Sequence, residues 1–552
     1  MRFVLIFVLA SFAWSDLAIS EVVYIETTVD TDDDGHLDQL FVEIDRPNSS
    51  RKLSTIFSIS PYALGGSQVQ MHSVDVDLLP QDETFDLKAY SPLLFQSMSK
   101  SHHRYMPTSF ASSRYAKVKA HSLGTGLSTG CPSVGGMTET LAAKSVIDWL
   151  NGRARGFYKN GTEAKADWAN GKVGMTGTSY DGTLPIMVAT TGVEGLKAIV
   201  PVAAISNWYD YYRANGLVVN PGGFIGEDAD ILGYYIVRRS GCRNVIQNIT
   251  KIQGREDGDF NSFWQERDYT AQAKNIKAAT FIIHGQSDWN VKQKHAIQLW
   301  NALDSVAARR MYLHRGGHVL PFGHGTRKKL SDWFDHYLEG IDNGINQGPK
   351  IEVELPDGSL MMQDEWPYEN SQQVRFYLSD QETLEQNIWS PAQLRMTDMG
   401  QSQRLEDLLQ NRTRNHRGRL IFLTPPLSKS RVLSGTPQIN LSFSLLNRKA
   451  ANFSAAIIEL DSRGNIKIIT RGWADPQNYR LISHGELLMP GQEYHMSFDL
   501  EPKQYRLAPQ SRLGLVLFST DYAYTLRPSE GTEIQINVGH QSFLDLRLTP
   551  EI

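Results

Sequence analysis

Lys172-Val173-Gly174-Met175-Thr176-Gly177-Thr178-Ser179-Tyr180-Asp181-Gly182 is the stretch that decides the fold. It reads as a strand that enters a sharp, glycine-flanked turn and leaves as a helix. Small residues around Ser179 let the backbone take a strained turn and push the hydroxyl out at the helix N-terminus. There the backbone N–H of Tyr180 can stabilise an oxyanion. The second glycine falls three residues after the serine, at Gly182, so the strict G-x-S-x-G pattern is not met. A glycine-rich strand-to-helix turn in an α/β protein of any function is the alternative.

Two downstream segments supply what a serine nucleophile needs. Ala279–Gly285 is an apolar strand, and Gln286-Ser287-Asp288 is the polar loop at its carboxyl end. Sites in α/β sheets form on that side. Met311-Tyr312-Leu313 reads as the next strand, followed by Gly316-Gly317-His318, where two glycines permit a histidine to approach the serine. The order Ser179, Asp288, His318 is the nucleophile–acid–base order of the α/β-hydrolases. Ser179 would attack a carbonyl, His318 would shuttle its proton, and Asp288 would fix the imidazole. The chain has 15 histidines, of which His284, His314 and His324 are the rivals for the base. His284 and His314 lie on strands, and His324 has no acid-loop argument, so position favours His318.

Outward from this centre, residues 21–345 alternate strand-like and helix-like segments, the pattern of an α/β domain with a largely parallel sheet. Strands are expected at 53–60, 115–122, 172–177, 196–204, 279–285 and 310–313, and helices at 138–150, 180–191, 292–303 and 327–338. Residues 214–275 interrupt the alternation, are helical and loop-rich, and read as a cap inserted over the site. From 346 to 552 short alternating runs separated by turns predict a β-sandwich of jelly-roll type.

The 552 residues are 41% hydrophobic and 21% charged, with a net charge of −5, which leaves no basic surplus for nucleic acid. Met1-Arg2, the apolar run Phe3–Trp14 and the small residues of Ala18-Ile19-Ser20 have the layout of a signal peptide over residues 1–20, cut before Glu21. An uncleaved anchor or a buried strand is the alternative. Export to the periplasm or the medium is therefore expected, with no membrane attachment after cleavage. Two cysteines, Cys131 and Cys242, could pair in an oxidising compartment, but the sequence leaves this open.

Several long strings resemble the X-prolyl dipeptidyl aminopeptidase family. They are Asp148–Arg155, Gly174–Thr183, Gly192–Leu196, Ser206–Tyr212 and His284–Val291. The family implies an α/β-hydrolase domain with a helical cap and a C-terminal jelly roll, an architecture shared with cocaine esterase and the α-amino-acid ester hydrolases. It implies release of an N-terminal dipeptide whose second residue is proline. By matching motif, Tyr62 and the Tyr180 N–H would hold the oxyanion, and Trp208 and Tyr211 would form the proline pocket. Glu227 and Asn290, with Val291 beside them, would bind the substrate and its α-ammonium. Asp181 and Leu123 depart from the family pattern, which has an apolar residue and an arginine there. The long N-terminal helical domain of the lactic-acid-bacterial members has no counterpart, so their oligomeric state is not carried over.

Asp30-Thr-Asp32-Asp33-Asp34-Gly35 begins like an EF-hand loop but has Phe41 where a bidentate glutamate belongs. A hairpin turn between strands is the preferred reading, and no metal or cofactor is expected. Three functions compete: an exported peptidase acting on peptides with proline second, an esterase or amidase of the cocaine-esterase type, and a non-catalytic glycan- or peptide-binding protein.

Overall fold

The structure, a computed structural model, describes residues 18–76, 114–304, 308–323, 325–387, 390–400, 402–410 and 416–550. The run Phe3–Trp14 and His324 lie outside these.

The N-terminal sheet contains β1 (Ile19–Glu26), β2 (Gln39–Arg46), β3 (Leu53–Ser60), β4 (Ala116–His121), β5 (Gly156–Phe157), β6 (Ala169–Thr178) and β7 (Leu196–Val202). A short hairpin, β8 (Arg213–Ala214) and β9 (Leu217–Val218), opens the cap. The sheet resumes with β10 (Ala279–Gly285), β11 (Arg309–His314), β12 (Ile351–Glu354) and β13 (Leu360–Gln363). Its spatial order is β13-β12-β11-β10-β7-β6-β3-β4-β2-β1-β5. The pairs from β4 through β12 are parallel, while β1, β2, β5 and β13 join antiparallel. Parallel strands are covered on both faces, so they must be apolar throughout. β3 and β10 are buried at every position.

The α/β domain extends further than the sequence suggests. β12 pairs parallel with β11, and β13 closes the edge, although the sandwich was expected from residue 346. Asp342-Asn343-Gly344 lies inside one more strand–helix–strand crossover, through the helix Thr326–Glu339. At the other end β1 already begins at Ile19, with Ile19 opposite Arg46 and Ser20 opposite Asp45. A cut before Glu21 would remove those two pairs.

The cap lies between β7 and β10 and carries the helices Ala229–Ile236, Arg243–Ile252 and Ser262–Glu266. Cys242, at its second helix, is disulfide-bonded to Cys131 in the hydrolase domain. The bond closes a separation of 111 residues, which the loop-closure model makes worth about 5 kcal/mol. Cys131→Ser or a reductant should therefore lower the melting temperature; an unchanged Tm would show that the cap is held without the bond.

After Gln363 the chain forms two antiparallel sheets. One is centred on the long strand Glu533–Leu548, and the other has strands Arg419–Leu423, Arg512–Phe518, Phe453–Leu460 and Ile466–Ala474. Phe376, Leu441, Phe443, Ile457, Leu515 and Ile536 pack in the shared core. The acidic turn between β1 and β2 brings Asp30, Asp32 and Asp34 together, their ligand atoms within 4.8 Å. Asp30 accepts the N–H of Asp34 and Gly35, and Asp34 accepts that of His36, as in a hydrogen-bonded turn. No helix among the described residues is long and apolar enough to cross a membrane.

Candidate active site

Ser179 stands between β6 and the helix Tyr180–Thr190 with φ 66° and ψ −131°, the left-handed strain of a nucleophile elbow. Its backbone N–H donates to the Val202 carbonyl of β7 at 2.9 Å, which anchors the turn to the sheet. The glycines are a matter of space. A Cβ on Gly177 would lie 2.1 Å from the Asp181 carbonyl oxygen, and one on Gly182 would lie 2.7 Å from the Gly177 oxygen and 2.8 Å from the Val202 oxygen. Gly182 therefore does the packing that the strict motif assigns one position earlier. Gly182→Ala should displace the elbow and lower kcat by at least about a hundred-fold, in line with the cost of a roughly 1 Å misplacement. Unchanged kcat would show that the turn has room.

β6, β7, β10 and β11 are neighbours in the sheet, so the loops at their carboxyl ends meet on one rim. The acid and base loops are bonded to each other: the Gln286 N–H donates to the His314 carbonyl at 2.7 Å and the Ser287 N–H to Gly316 at 3.0 Å. Asp288 is buried, and its Oδ2 lies 2.7 Å from His318 Nδ1. Its Oδ1 accepts the backbone N–H groups of Asn290 and Val291, each at 3.0 Å. This leaves the other imidazole nitrogen of His318 for the nucleophile. Among the described residues the Ser179 hydroxyl has no hydrogen-bond partner, and such bonds commonly tighten only when substrate binds.

The rival histidines are committed elsewhere. His284 Nε2 donates to the Val291 carbonyl at 2.7 Å, and burial lowers its pKa. Burial brings His314 down to about 4, and its Nδ1 accepts the Gly316 N–H. Val291 is itself fully buried and serves the acid through its backbone.

Tyr62 follows β3, next to β6 in the sheet, and its ring lies 6.2 Å from that of Tyr180. Burial first, then the nearby Glu227 and Asp181 carboxyls, raise its pKa well above the ordinary phenol value. The phenol therefore stays protonated, as a donor to an oxyanion must be. The Tyr180 side chain is fixed from below by Glu139, a buried residue of the helix Met137–Leu150. Glu139 accepts the Tyr180 hydroxyl and the Ser122 hydroxyl at 2.5 Å each, and the Gly135 N–H at 2.9 Å. Burial raises the pKa of Glu139, and the hydrogen bonds from Ser122, Tyr180 and Gly135 oppose the rise. Sequence reasoning missed this residue. Its signal was helical phase, because Glu139 shares a face with the apolar Ala143, Val146 and Leu150.

Glu227 is buried where the cap meets the rim, and its Oε1 accepts the Tyr212 hydroxyl at 2.9 Å. Among the described residues no cation pairs with it. The adjacent Asp228 is by contrast neutralised by Arg213 at 2.9 Å and Arg255 at 3.1 Å. Burial pushes the Glu227 carboxyl up to about 7, against the Tyr212 hydrogen bond. Asn290 Oδ1 accepts the Tyr211 hydroxyl at 3.0 Å and keeps a second lone pair. Trp208 packs edge-on to Tyr180 at 4.9 Å and to Tyr211 at 5.8 Å. It is fully buried, with its indole N–H donated to Tyr269. Leu123, at the expected arginine position, is buried in the core. Asp181 is partly exposed, but its Oδ1 is buried without a partner among the described residues, and burial raises its pKa to about 7.

A strained serine at a strand–helix elbow, with an aspartate–histidine pair on the neighbouring loops, defines a serine hydrolase of the α/β-hydrolase fold. Residues 34–320 match the X-Pro dipeptidyl-peptidase (S15 family) model, and residues 343–545 match the X-Pro dipeptidyl-peptidase C-terminal non-catalytic domain. The chain belongs to the X-Pro dipeptidyl-peptidase family. A Bacillus anthracis relative, provisionally named Xaa-Pro dipeptidyl-peptidase, is 39% identical over 95% of this chain and 87% of its own. The Xaa-Pro dipeptidyl-peptidase of Ligilactobacillus salivarius is 31% identical over 94% of this chain and 76% of its own. Among solved structures, a CocE/NonD family hydrolase from Staphylococcus aureus superposes with a TM-score of 0.69 at 16% identity, covering 97% of this chain and 96% of its own. An α-amino acid ester hydrolase superposes with a TM-score of 0.66 at 17% identity, covering 99% and 98%. These two similarities concern the fold alone.

Proposed function

We propose that the protein is an exported serine peptidase that releases Xaa-Pro dipeptides from the N-termini of peptides. The observation that carries the reading is Glu227, a buried carboxylate with no cation among the described residues. Burying such a charge unpaired is costly, and the α-ammonium of a peptide supplies the missing partner. A cation held there fixes the distance from the free N-terminus to Ser179, and so the cut at two residues.

Ser179 attacks the carbonyl that follows the proline, and His318 takes its proton. Asp288 holds the imidazole and stabilises the imidazolium. The Tyr62 hydroxyl and the Tyr180 N–H receive the oxyanion. His318 then protonates the leaving amine, and water hydrolyses the dipeptidyl ester on Ser179. Trp208 and Tyr211 wall the proline ring with flat aromatic faces, which suit a compact apolar ring. Asn290 adds an acceptor for the ammonium. A simple esterase has no use for a buried carboxylate in this position that meets no cation among the described residues.

Two observations support export: the apolar run near the N-terminus and the Cys131–Cys242 bond, since disulfides persist in oxidising compartments. For the C-terminal sandwich we adopt the jelly-roll reading. Mass spectrometry of an unprotected peptide with proline second tests the activity. The expected products are one dipeptide and the shortened remainder. Internal cleavage, or loss of a single residue, would contradict the reading.

A further inference from the structure

Behind the acid loop, where the sandwich meets the α/β domain, lies a cleft of about 270 Å³ lined by Gln286, Trp289, Arg315, Lys467, Lys503 and Tyr505, among others. Three of these are cationic. Lys503 is only 8% exposed, and among the described residues its ammonium has one acceptor, the Gln286 carbonyl, for three N–H donors. Among the described residues no carboxylate pairs with Lys503 or Lys467. Lys467 instead holds its ammonium 4.8 Å from the centre of the Tyr505 ring. Burial first, and the like charge of Lys467 second, lower the Lys503 pKa to about 8. Arg315, which also lines the cleft, pairs with Glu354 at 3.1 Å.

We infer that this cleft is a binding site for a small, multiply charged oxyanion of the size of inorganic phosphate, held by Lys503 and Lys467 from the sandwich and Arg315 from the α/β domain. Two neighbouring ammonium groups, one of them buried, repel each other and lose hydration, and a bound anion offsets both. The guanidinium adds the forked donor geometry that suits tetrahedral oxyanions. Placement gives the site a consequence. Gln286 lies two residues before Asp288, and Arg315 three before His318, so the anion would tie the sandwich to the loops bearing the acid and the base.

The site is independent of which substrate Ser179 attacks. Isothermal titration of the full chain with inorganic phosphate, at fixed ionic strength in chloride, tests it. The expected result is saturable binding of one phosphate per chain, weakened at least ten-fold in Lys467→Gln and in Lys503→Met. Lys467 is exposed, so its variant remains informative should the buried Lys503→Met fail to fold. No saturable binding by the wild type, or equal binding by Lys467→Gln, would overturn the proposal. So would acetate binding as tightly as phosphate, because the charge on the ligand would then be irrelevant.

Discussion

Replacing Ser179 with alanine should lower kcat on Gly-Pro-p-nitroanilide about a hundred-thousand- to a million-fold, while the protein folds as before. The size follows from the chemistry: without the hydroxyl no acyl-enzyme forms, and only the oxyanion donors and substrate binding continue to act. The intact fold follows from the geometry. The Ser179 backbone carries the elbow through its N–H to Val202, and among the described residues its hydroxyl bonds to nothing. Alanine therefore removes a reacting atom and no structural bond. His318→Ala should cost about as much, and the double variant little more than either, because the two act as a unit. Additive losses would mean that they serve separate steps. A Ser179→Ala protein that still turns over at a tenth of the wild-type rate would remove the serine from the mechanism.

The second large effect belongs to Glu227. Glu227→Gln should reduce kcat/KM for free-amine dipeptide substrates by about a hundred- to several-thousand-fold. Breaking a buried charge pair from one side costs about 3–5 kcal/mol, and each 1.4 kcal/mol is a factor of ten. A simple phenyl ester, with no ammonium to place, should be hydrolysed as before. The same carboxyl sets a pH signature. With its pKa raised to about 7 by burial, Glu227 is neutral below that pH in the free enzyme and cannot pair with an ammonium. The ratio of peptide to ester kcat/KM should fall as pH drops through about 7, and the requirement for a neutral His318 cancels in that ratio.

Stability should move the other way. A carboxyl whose pKa is higher in the folded state loses its stabilising contribution as pH rises through the folded value. Glu227→Gln should therefore melt higher than wild type at pH 8 and differ little at pH 4. A ratio that does not change with pH, or a loss of ester activity equal to that of peptide activity, would take Glu227 out of ammonium recognition.

Much of this was legible in the sequence because local pattern and tertiary demand agree. The strands Leu53–Ser60 and Ala279–Gly285 are apolar runs bounded by polar loops, and parallel strands buried on both faces must be so. The residues expected as nucleophile, acid and base lie on the loops that neighbouring strands bring to one rim. What local pattern hides is decided at a distance. β12 is four residues long, and only its pairing with β11 shows that it belongs to the first sheet. The helical phase of Glu139 marks it as inward-facing, but its partner, the Tyr180 hydroxyl, comes from 41 residues away. The pairing of Cys131 with Cys242 crosses 111 residues that no motif spans. Glu227 was found by family resemblance alone, for its chemical character comes from burial and from the absence of a neighbouring cation among the described residues.

The most direct test is chromophore release from Gly-Pro-p-nitroanilide and from its N-acetylated counterpart, with wild type and Ser179→Ala side by side. The expected result is rapid release from the free amine, little from the acetylated form, and release about a hundred-thousand-fold slower or less in the variant. Equal release from both substrates would contradict recognition of the N-terminus, and hence the assignment of a dipeptidyl-peptidase.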